Sequence, residues 1–135
     1  MRINHLILGC DNIDESRKFY ETILGFKFID SFIDTGTRNQ GYVLVIGQEH
    51  ELEILLVPFK AERLPSPQHL ALEVDSLVFK RILKESEEHN LDIRSMPPLD
   101  CKIKGVGITE VRGRKFERFY LLDPARINIE IMREI

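Results

Sequence analysis

Two short stretches, Asn4–Leu8 (NHLIL) and Gln68–Val74 (QHLALEV), each set a histidine ahead of an alternating apolar run. In a β-strand successive side chains leave on opposite faces. Leu70, Leu72 and Val74 therefore share one face, and His69, Ala71 and Glu73 share the other. At the N-terminus Ile3, His5 and Ile7 oppose Leu6 and Leu8. An internal echo of this kind identifies an architecture better than local propensity does. His5 and His69 begin two similar units, and the rest of the chain can be hung on that pair.

The residues after each strand repeat one plan. Following Arg2–Gly9, Asn12 can cap a helix, with Glu15 as the other half of a capping box. Ile13, Tyr20 and Leu24, with Phe19 and Ile23 beside them, form a stripe at helical spacing. Gly25 stands where that helix should end, because glycine takes the left-handed C′ conformation cheaply. Strands are then expected at Phe26–Ile33, Tyr42–Ile46 and Glu51–Val57, with polar turns between them and a proline-containing linker at Pro58–Pro67. In the second unit Gln68–Val74 is the first strand, Asp75 or Ser76 the cap, and a helix runs to about Asn90 with Phe79, Ile82 and Leu83 inward. Leu91–Arg94 begins a strand that Pro97-Pro98 interrupts. Lys102–Val111, Phe116–Leu122 and Ile127–Met132 complete the set, with Arg112–Lys115 as a hairpin. The expected fold is α+β, two βαβββ modules in a single domain, module one at about 1–60 and module two at about 67–135.

Composition narrows the class. At 135 residues the chain can bury a real core without disulfides or a structural metal. Hydrophobic residues make up 43% and charged residues 30%, which excludes disorder. No apolar run approaches the ~20 residues a membrane helix needs, and the start of the chain lacks the pattern of a signal peptide. Cys10 and Cys101 form no close-spaced pair, so free thiols in the cytoplasm are the simplest expectation. A formal net charge of −3 argues against nucleic acid as the main partner.

The closing strands of the two modules strengthen the echo. Module one ends on LEILL with Glu53, and module two on IEIM with Glu130. Applying the 64-residue offset between the histidines to Glu53 gives position 117, so Glu130 is 13 residues late. The irregular Ser95–Gly107 stretch can account for the excess. In all four strands the His or Glu faces away from the aliphatic row that would meet a helix. A lone strand histidine is usually a core residue, and a lone strand glutamate is usually solvated. Four of them, symmetric under a repeat, are instead what a metal site on a sheet needs. Imidazole and carboxylate suit Zn, Ni, Mn, Co or Fe(II).

HLILGCDNIDESRKFYETILGF resembles the opening of the vicinal oxygen chelate superfamily, the glyoxalase, bleomycin resistance protein and extradiol dioxygenase group. The matching elements are His5, Asp11, Ser16, Phe19-Tyr20 and Leu24-Gly25-Phe26. QHLALEV is similar to the start of the family's second module, and FYLLDPARINIEI to its closing hairpin, with a DP turn and a metal-binding Glu. The resemblance implies paired modules forming a cup-shaped mixed sheet, with the helices outside and a divalent metal within. His5, His69 and Glu130 fall on the family's ligand positions. Glu53 falls on a fourth used by glyoxalase I-like members. Tyr120, ten residues before Glu130, stands where some extradiol dioxygenase relatives carry an active-site Tyr. Where the family commonly has Gly two residues after the proline, this chain has Arg126, so another turn conformation is expected there.

The remaining candidates are His50 in a turn and His89 near a helix C-terminus, both read as surface residues, and Arg112, Arg114, Lys115 and Arg118, which could hold an anionic substrate but read first as a solvated hairpin. The resemblance implies a metal-dependent enzyme with a small-molecule substrate and a homodimer; charge and hydropathy lead one to expect neither nucleic acid nor membrane as partner. Lyase or isomerase chemistry on an oxygenated carbonyl compound ranks first. There Glu53 or Glu130 would be the general base, and the metal would stabilise an enediolate. An Fe(II) dioxygenase using His5, His69 and Glu130 with Tyr120 is the alternative. A drug- or metabolite-binding protein is the third, and it has no need of four ligands.

Overall fold

The computed structural model describes residues 3–35, 37–47, 52–59, 69–96 and 102–135. The chain divides into two compact units, Met1–Ser66 and Pro67–Ile135.

In the first unit β1 (His5–Cys10) leads into α1 (Ile13–Phe19), which continues as one π-helical turn at Tyr20–Leu24. The side chain of Asn12 accepts from the backbone N–H groups of Asp14 and Glu15, as the sequence predicts for a cap. Gly25 ends the turn at φ 75°. Strands β2 (Lys27–Ile33), β3 (Gln40–Ile46) and β4 (Leu52–Pro58) follow, and the sheet order is β1-β4-β3-β2. β1 pairs with β4 in parallel, and the other neighbours are antiparallel. Leu8, Tyr20, Leu44, Ile54 and Leu56 form the centre of the unit's core. The ring of Tyr20 stacks on Phe26 at 5.5 Å.

The second unit repeats this connectivity. β5 (His69–Glu73), α2 (Ser76–Glu88), β6 (Gly107–Val111), β7 (Arg114–Leu122) and β8 (Asn128–Glu134) give the order β5-β8-β7-β6. Here too the first and last strands are parallel. Asp75, the first of the two expected caps, accepts from the N–H groups of Leu77 and Val78. Two four-stranded mixed sheets, neither closed, with one helix each make this the α+β two-module fold anticipated from the repeat.

Side-chain parity follows expectation. Ile129, Ile131, Phe119 and Leu121 are fully buried, and Phe79 of α2 meets Phe119 edge-on at 5.1 Å. Burying one such ring contributes about 2–3 kcal/mol. Leu70 and Leu72 share this helix-facing side but are only half-buried, since β5 is the edge of its sheet.

Two expectations change. Leu91–Arg94 forms no strand, and the expected Lys102–Val111 strand shortens to β6. Instead Arg94 makes isolated bridges to Lys104 and to Tyr120. Its backbone exchanges both hydrogen bonds with Tyr120, at 3.0 and 2.7 Å. The excursion is thereby bound to the outer side of β7, beyond the end of β6. The β7–β8 turn also differs from expectation: Arg126 does take positive φ, at 67°. The buried Asp123 holds it there, its carboxylate accepting from Ile127 N–H at 2.7 Å while its backbone pairs with Arg126 and Ile127. Pro97-Pro98, Cys101, His50, Glu51 and most of the expected Pro58–Pro67 linker lie outside the described residues.

Candidate functional site

Each unit places its histidine and glutamate on its first and last strands, which are parallel neighbours. In the first unit His5 and Glu53 are direct register partners. His5 is exposed and Glu53 half-buried. In its neutral form the His5 ring donates Nδ1–H to Asn4 Oδ1 at 2.9 Å, which leaves the Nε2 lone pair available to a metal.

The second unit is built differently. His69 pairs with Asn128, and Glu130 stands opposite Ala71, one pleat further along β8. The residue facing the histidine is thus Glu53 in one unit and Asn128 in the other. This corrects the residue-for-residue match of Glu53 to Glu130, although their strands correspond. The histidine and carboxylate still meet: His69 Nε2 lies 3.0 Å from Glu130 Oε2. A carboxylate only accepts, so Nε2 carries the proton in this contact.

Glu130 is also held from β7. Tyr120 is its register partner, and the Tyr120 hydroxyl donates to Glu130 Oε1 at 2.7 Å. Arg118, two residues back on the same face, gives Nη1–H to Glu130 Oε1 at 3.2 Å and to the Tyr120 oxygen at 2.7 Å. The His69 and Tyr120 rings meet edge-on at 5.9 Å. Glu130 is 7% exposed and Tyr120 2%. Burial raises the Tyr120 pKa above the ordinary phenol value, the bond to Glu130 and that carboxylate's charge add to the rise, and Arg118 opposes it. Tyr120 is therefore a neutral donor at physiological pH.

The expected set thus resolves into a His5–Glu53 pair in the first unit and a joined His69–Glu130–Tyr120 cluster in the second. Arg118 does not belong to a solvated hairpin, as its charged neighbourhood led one to expect; it completes the cluster. Its place on the face of Tyr120 was the available signal. Asn128, two residues before Glu130, was also missed, and the same two-residue spacing puts it on this face. Arg114 stays on the surface, bonded to Glu73 and Glu134. His89 caps the end of α2 through Nδ1 to the Glu85 carbonyl.

Imidazole nitrogen and carboxylate oxygen fit a divalent ion of the Zn, Mn or Fe(II) type. Two such atoms bound at ~2.1 Å and at right angles are ~3.0 Å apart, which is the His69–Glu130 separation. Among the described residues no three His, Cys, Asp or Glu side chains gather tightly enough to hold an ion alone.

The family model described as the Glyoxalase/Bleomycin resistance protein/Dioxygenase superfamily matches residues 2–131. The chain belongs to this superfamily. Solved structures of superfamily architecture align along nearly the whole length. The oxidase ChaP-H2 is 21% identical over 98% of this chain and 93% of its own, with a TM-score of 0.74. A glyoxalase/bleomycin resistance protein/dioxygenase from Alicyclobacillus acidocaldarius is 18% identical over 98% and 91%, with a TM-score of 0.69. A glutamate-to-glutamine mutant of the fosfomycin resistance protein FosX from Listeria monocytogenes, complexed with Mn(II) and 1S,2S-dihydroxypropylphosphonic acid, is 14% identical over 98% and 92%, with a TM-score of 0.66. At these identities the likeness establishes the fold. No curated protein matches the chain in sequence.

Proposed function

We propose that this superfamily member is a metal-dependent enzyme with lyase or isomerase chemistry on a small oxygenated carbonyl compound. The convergence of His69, Tyr120 and Arg118 on the buried Glu130 carries this reading. Burying a carboxylate among a histidine and two donors is costly for a merely structural purpose, since apolar packing stabilises a core as well. His69 and Glu130 Oε2 would hold a divalent ion, and His5 and Glu53 are the further ligands named from the sequence. When bound, the ion supplies Lewis acidity that polarises a carbonyl and acidifies the adjacent C–H.

The chain's own groups divide the remaining work. Tyr120 and Arg118 fix Glu130 by Oε1, so the carboxylate offers Oε2 in one orientation. The neutral Tyr120 hydroxyl can shift its hydrogen bond toward a developing oxyanion. Proton collection falls to one of the two carboxylates named from the sequence, Glu53 or Glu130. General-base help of this kind typically contributes ~10²–10⁴-fold to rate. The enediolate formed by proton removal would be reprotonated or would expel a leaving group, as in an isomerase or a lyase.

The bond from Tyr120 to Glu130 also supports a second reading, an Fe(II) dioxygenase with His5, His69 and Glu130 as a facial triad and Tyr120 beside it. One experiment separates the two. The metal-loaded protein is incubated without oxygen with a panel of α-oxygenated carbonyl compounds in deuterium oxide, and C–H exchange is followed by NMR. Exchange that collapses in Glu53→Gln or Glu130→Gln beyond any loss of metal is the expected result. Oxygen uptake with Fe(II) and a catechol, with no exchange across the panel, would reverse the ranking. Tight binding without either reaction would favour a metabolite-binding protein.

A further inference from the structure

Two separate pieces of chain serve the outer edge of β7. Thr109 stands opposite Phe116 and Gly107 opposite Arg118, and continuing that register would set Gly105 opposite Tyr120. Gly105 turns away instead, at φ 92°, and its N–H donates to the Ile93 carbonyl at 3.0 Å. Arg94 takes the place opposite Tyr120. Its N–H donates to the Tyr120 carbonyl at 3.0 Å, and its carbonyl accepts from the Tyr120 N–H at 2.7 Å.

Along an antiparallel strand the main-chain groups of alternate residues turn to opposite neighbours. Those of Tyr120 turn outward to Arg94, so β8 does not serve them, and Tyr120 is 2% exposed. Buried main-chain groups are almost always paired. Arg94 therefore satisfies the backbone of the residue whose hydroxyl holds Glu130.

The neighbour of Arg94 fixes it there. A Cβ added at Gly107 would lie 2.9 Å from Ser95 Cβ, closer than such atoms approach, and 3.0 Å from the Ser95 carbonyl oxygen. A glycine weakens a strand, and one found there often marks a close approach of another backbone. Gly107 has no positive φ that would require a glycine, so room for Ser95 is the reason it stands there. Ser95 is also tied to Ile103, whose carbonyl accepts from its N–H at 3.2 Å and its hydroxyl at 3.4 Å.

We propose that Ser95 and Gly107 are positioning residues, which seat Arg94 on Tyr120 and so keep Glu130 Oε2 turned toward His69. This rests on the metal-dependent reading, in which His69 and Glu130 hold the ion, and names residues that set its affinity from outside the ligand set.

The test compares four full-length chains: wild type, Gly107→Ala, Gly107→Ala with Ser95→Gly, and Thr109→Gly. The last weakens β6 four residues along β7 from Tyr120, away from Ser95. Amide exchange is read at Tyr120 and Leu121 without metal, and Mn(II) affinity by electron paramagnetic resonance. Leu121 pairs with Ile129 on β8, so its amide reports general loosening. In Gly107→Ala the Tyr120 amide should speed up by at least about tenfold relative to Leu121, because a local opening exposes it. Mn(II) affinity should fall by about tenfold, the lower end of what loss of an outer-shell partner costs. The double variant, without the Ser95 Cβ, should recover most of both. Thr109→Gly should leave the exchange ratio and the affinity within about twofold of wild type, as independent sites do.

An unchanged exchange ratio in Gly107→Ala overturns the proposal. So does a loss of Mn(II) affinity that Thr109→Gly shares, or one that Ser95→Gly does not relieve. Should Gly107→Ala fail to fold, a folded double variant with the wild-type exchange ratio supports the proposal, and an unfolded one overturns it. A wild-type chain that takes up no Mn(II) defeats the metal-dependent reading, while the exchange ratio still decides whether Ser95 and Gly107 hold Tyr120.

Discussion

The two units share one strand order but join histidine to carboxylate in different ways. In the first, His5 faces Glu53 directly, and the β3 neighbour of Glu53 is Val45, an apolar residue. Ile3 and Ile7, on the His5 side of β1, are 64% and 60% exposed. In the second, the carboxylate sits one pleat further on, opposite Tyr120 instead of an aliphatic side chain. A duplicated scaffold fixes which strand supplies each group. The two-residue offset along the last strand then decides whether the carboxylate faces a tyrosine or an aliphatic residue on the third strand. In this chain the tyrosine-facing position is Glu130 and its counterpart in the first unit, opposite Ile7, is Leu55.

The sharpest way to break this contrast is to delete each carboxylate. Glu130→Ala leaves the Arg118 charge and the Tyr120 hydroxyl without their acceptor, and should cost about 3 kcal/mol. Glu53→Ala, at a half-buried site beside Val45, should cost no more than about 1 kcal/mol. Urea unfolding of both variants reads the difference, and equal costs would erase the distinction between the units.

Tyr120→Phe tests the link from β7 and should cost about 1 kcal/mol, one buried hydrogen bond. The same variant carries a pH signature. Folded Tyr120 keeps its proton beyond the ordinary phenol value of about 10. Above that pH the unfolded chain binds fewer protons than the folded one, so stability falls as pH rises. The contribution is fully present below about pH 10. Tyr120→Phe should flatten this alkaline decline; Tyr42, also raised by its bond to Asp14, contributes in the same direction in both proteins. An identical decline in both proteins would show that Tyr120 is not held by Glu130 in solution.

The smallest effect concerns the turns after the third strand of each unit. The first unit uses Gly47 at φ 81°, and the second puts Arg126 at φ 67°. A non-glycine residue there costs ~1–2 kcal/mol, partly offset by the extra unfolded-chain entropy of glycine. Arg126→Gly should therefore stabilise the protein by up to about 1 kcal/mol, visible as a rise in Tm. A destabilised variant would mean that the Arg126 side chain makes a compensating contact.

Much of this was legible in the sequence because it depends on short-range rules. The period of two placed His69 and Glu130 away from the helix, the family resemblance marked Tyr120, and Asn12, Asp75 and Gly25 marked helix ends through their own chemistry. Register was not legible. The connection from α2 to β6 is far longer than its counterpart from α1 to β2, so counting residues could not reveal that Glu130 is offset from His69. Arg118 was hidden for another reason. Three other cations lie just before it in the sequence and mask the two-residue spacing that puts it on the face of Tyr120. The Arg94 segment reads as a strand by composition, yet it finds only bridging partners beyond the end of β6.

The central claim is that His69 and Glu130 together hold a divalent ion. Its most direct test is a Mn(II) titration, followed by electron paramagnetic resonance, of the wild-type chain beside His69→Ala. Stoichiometric uptake by the wild type and its loss in His69→Ala is the predicted outcome. Full uptake retained in His69→Ala would contradict the account.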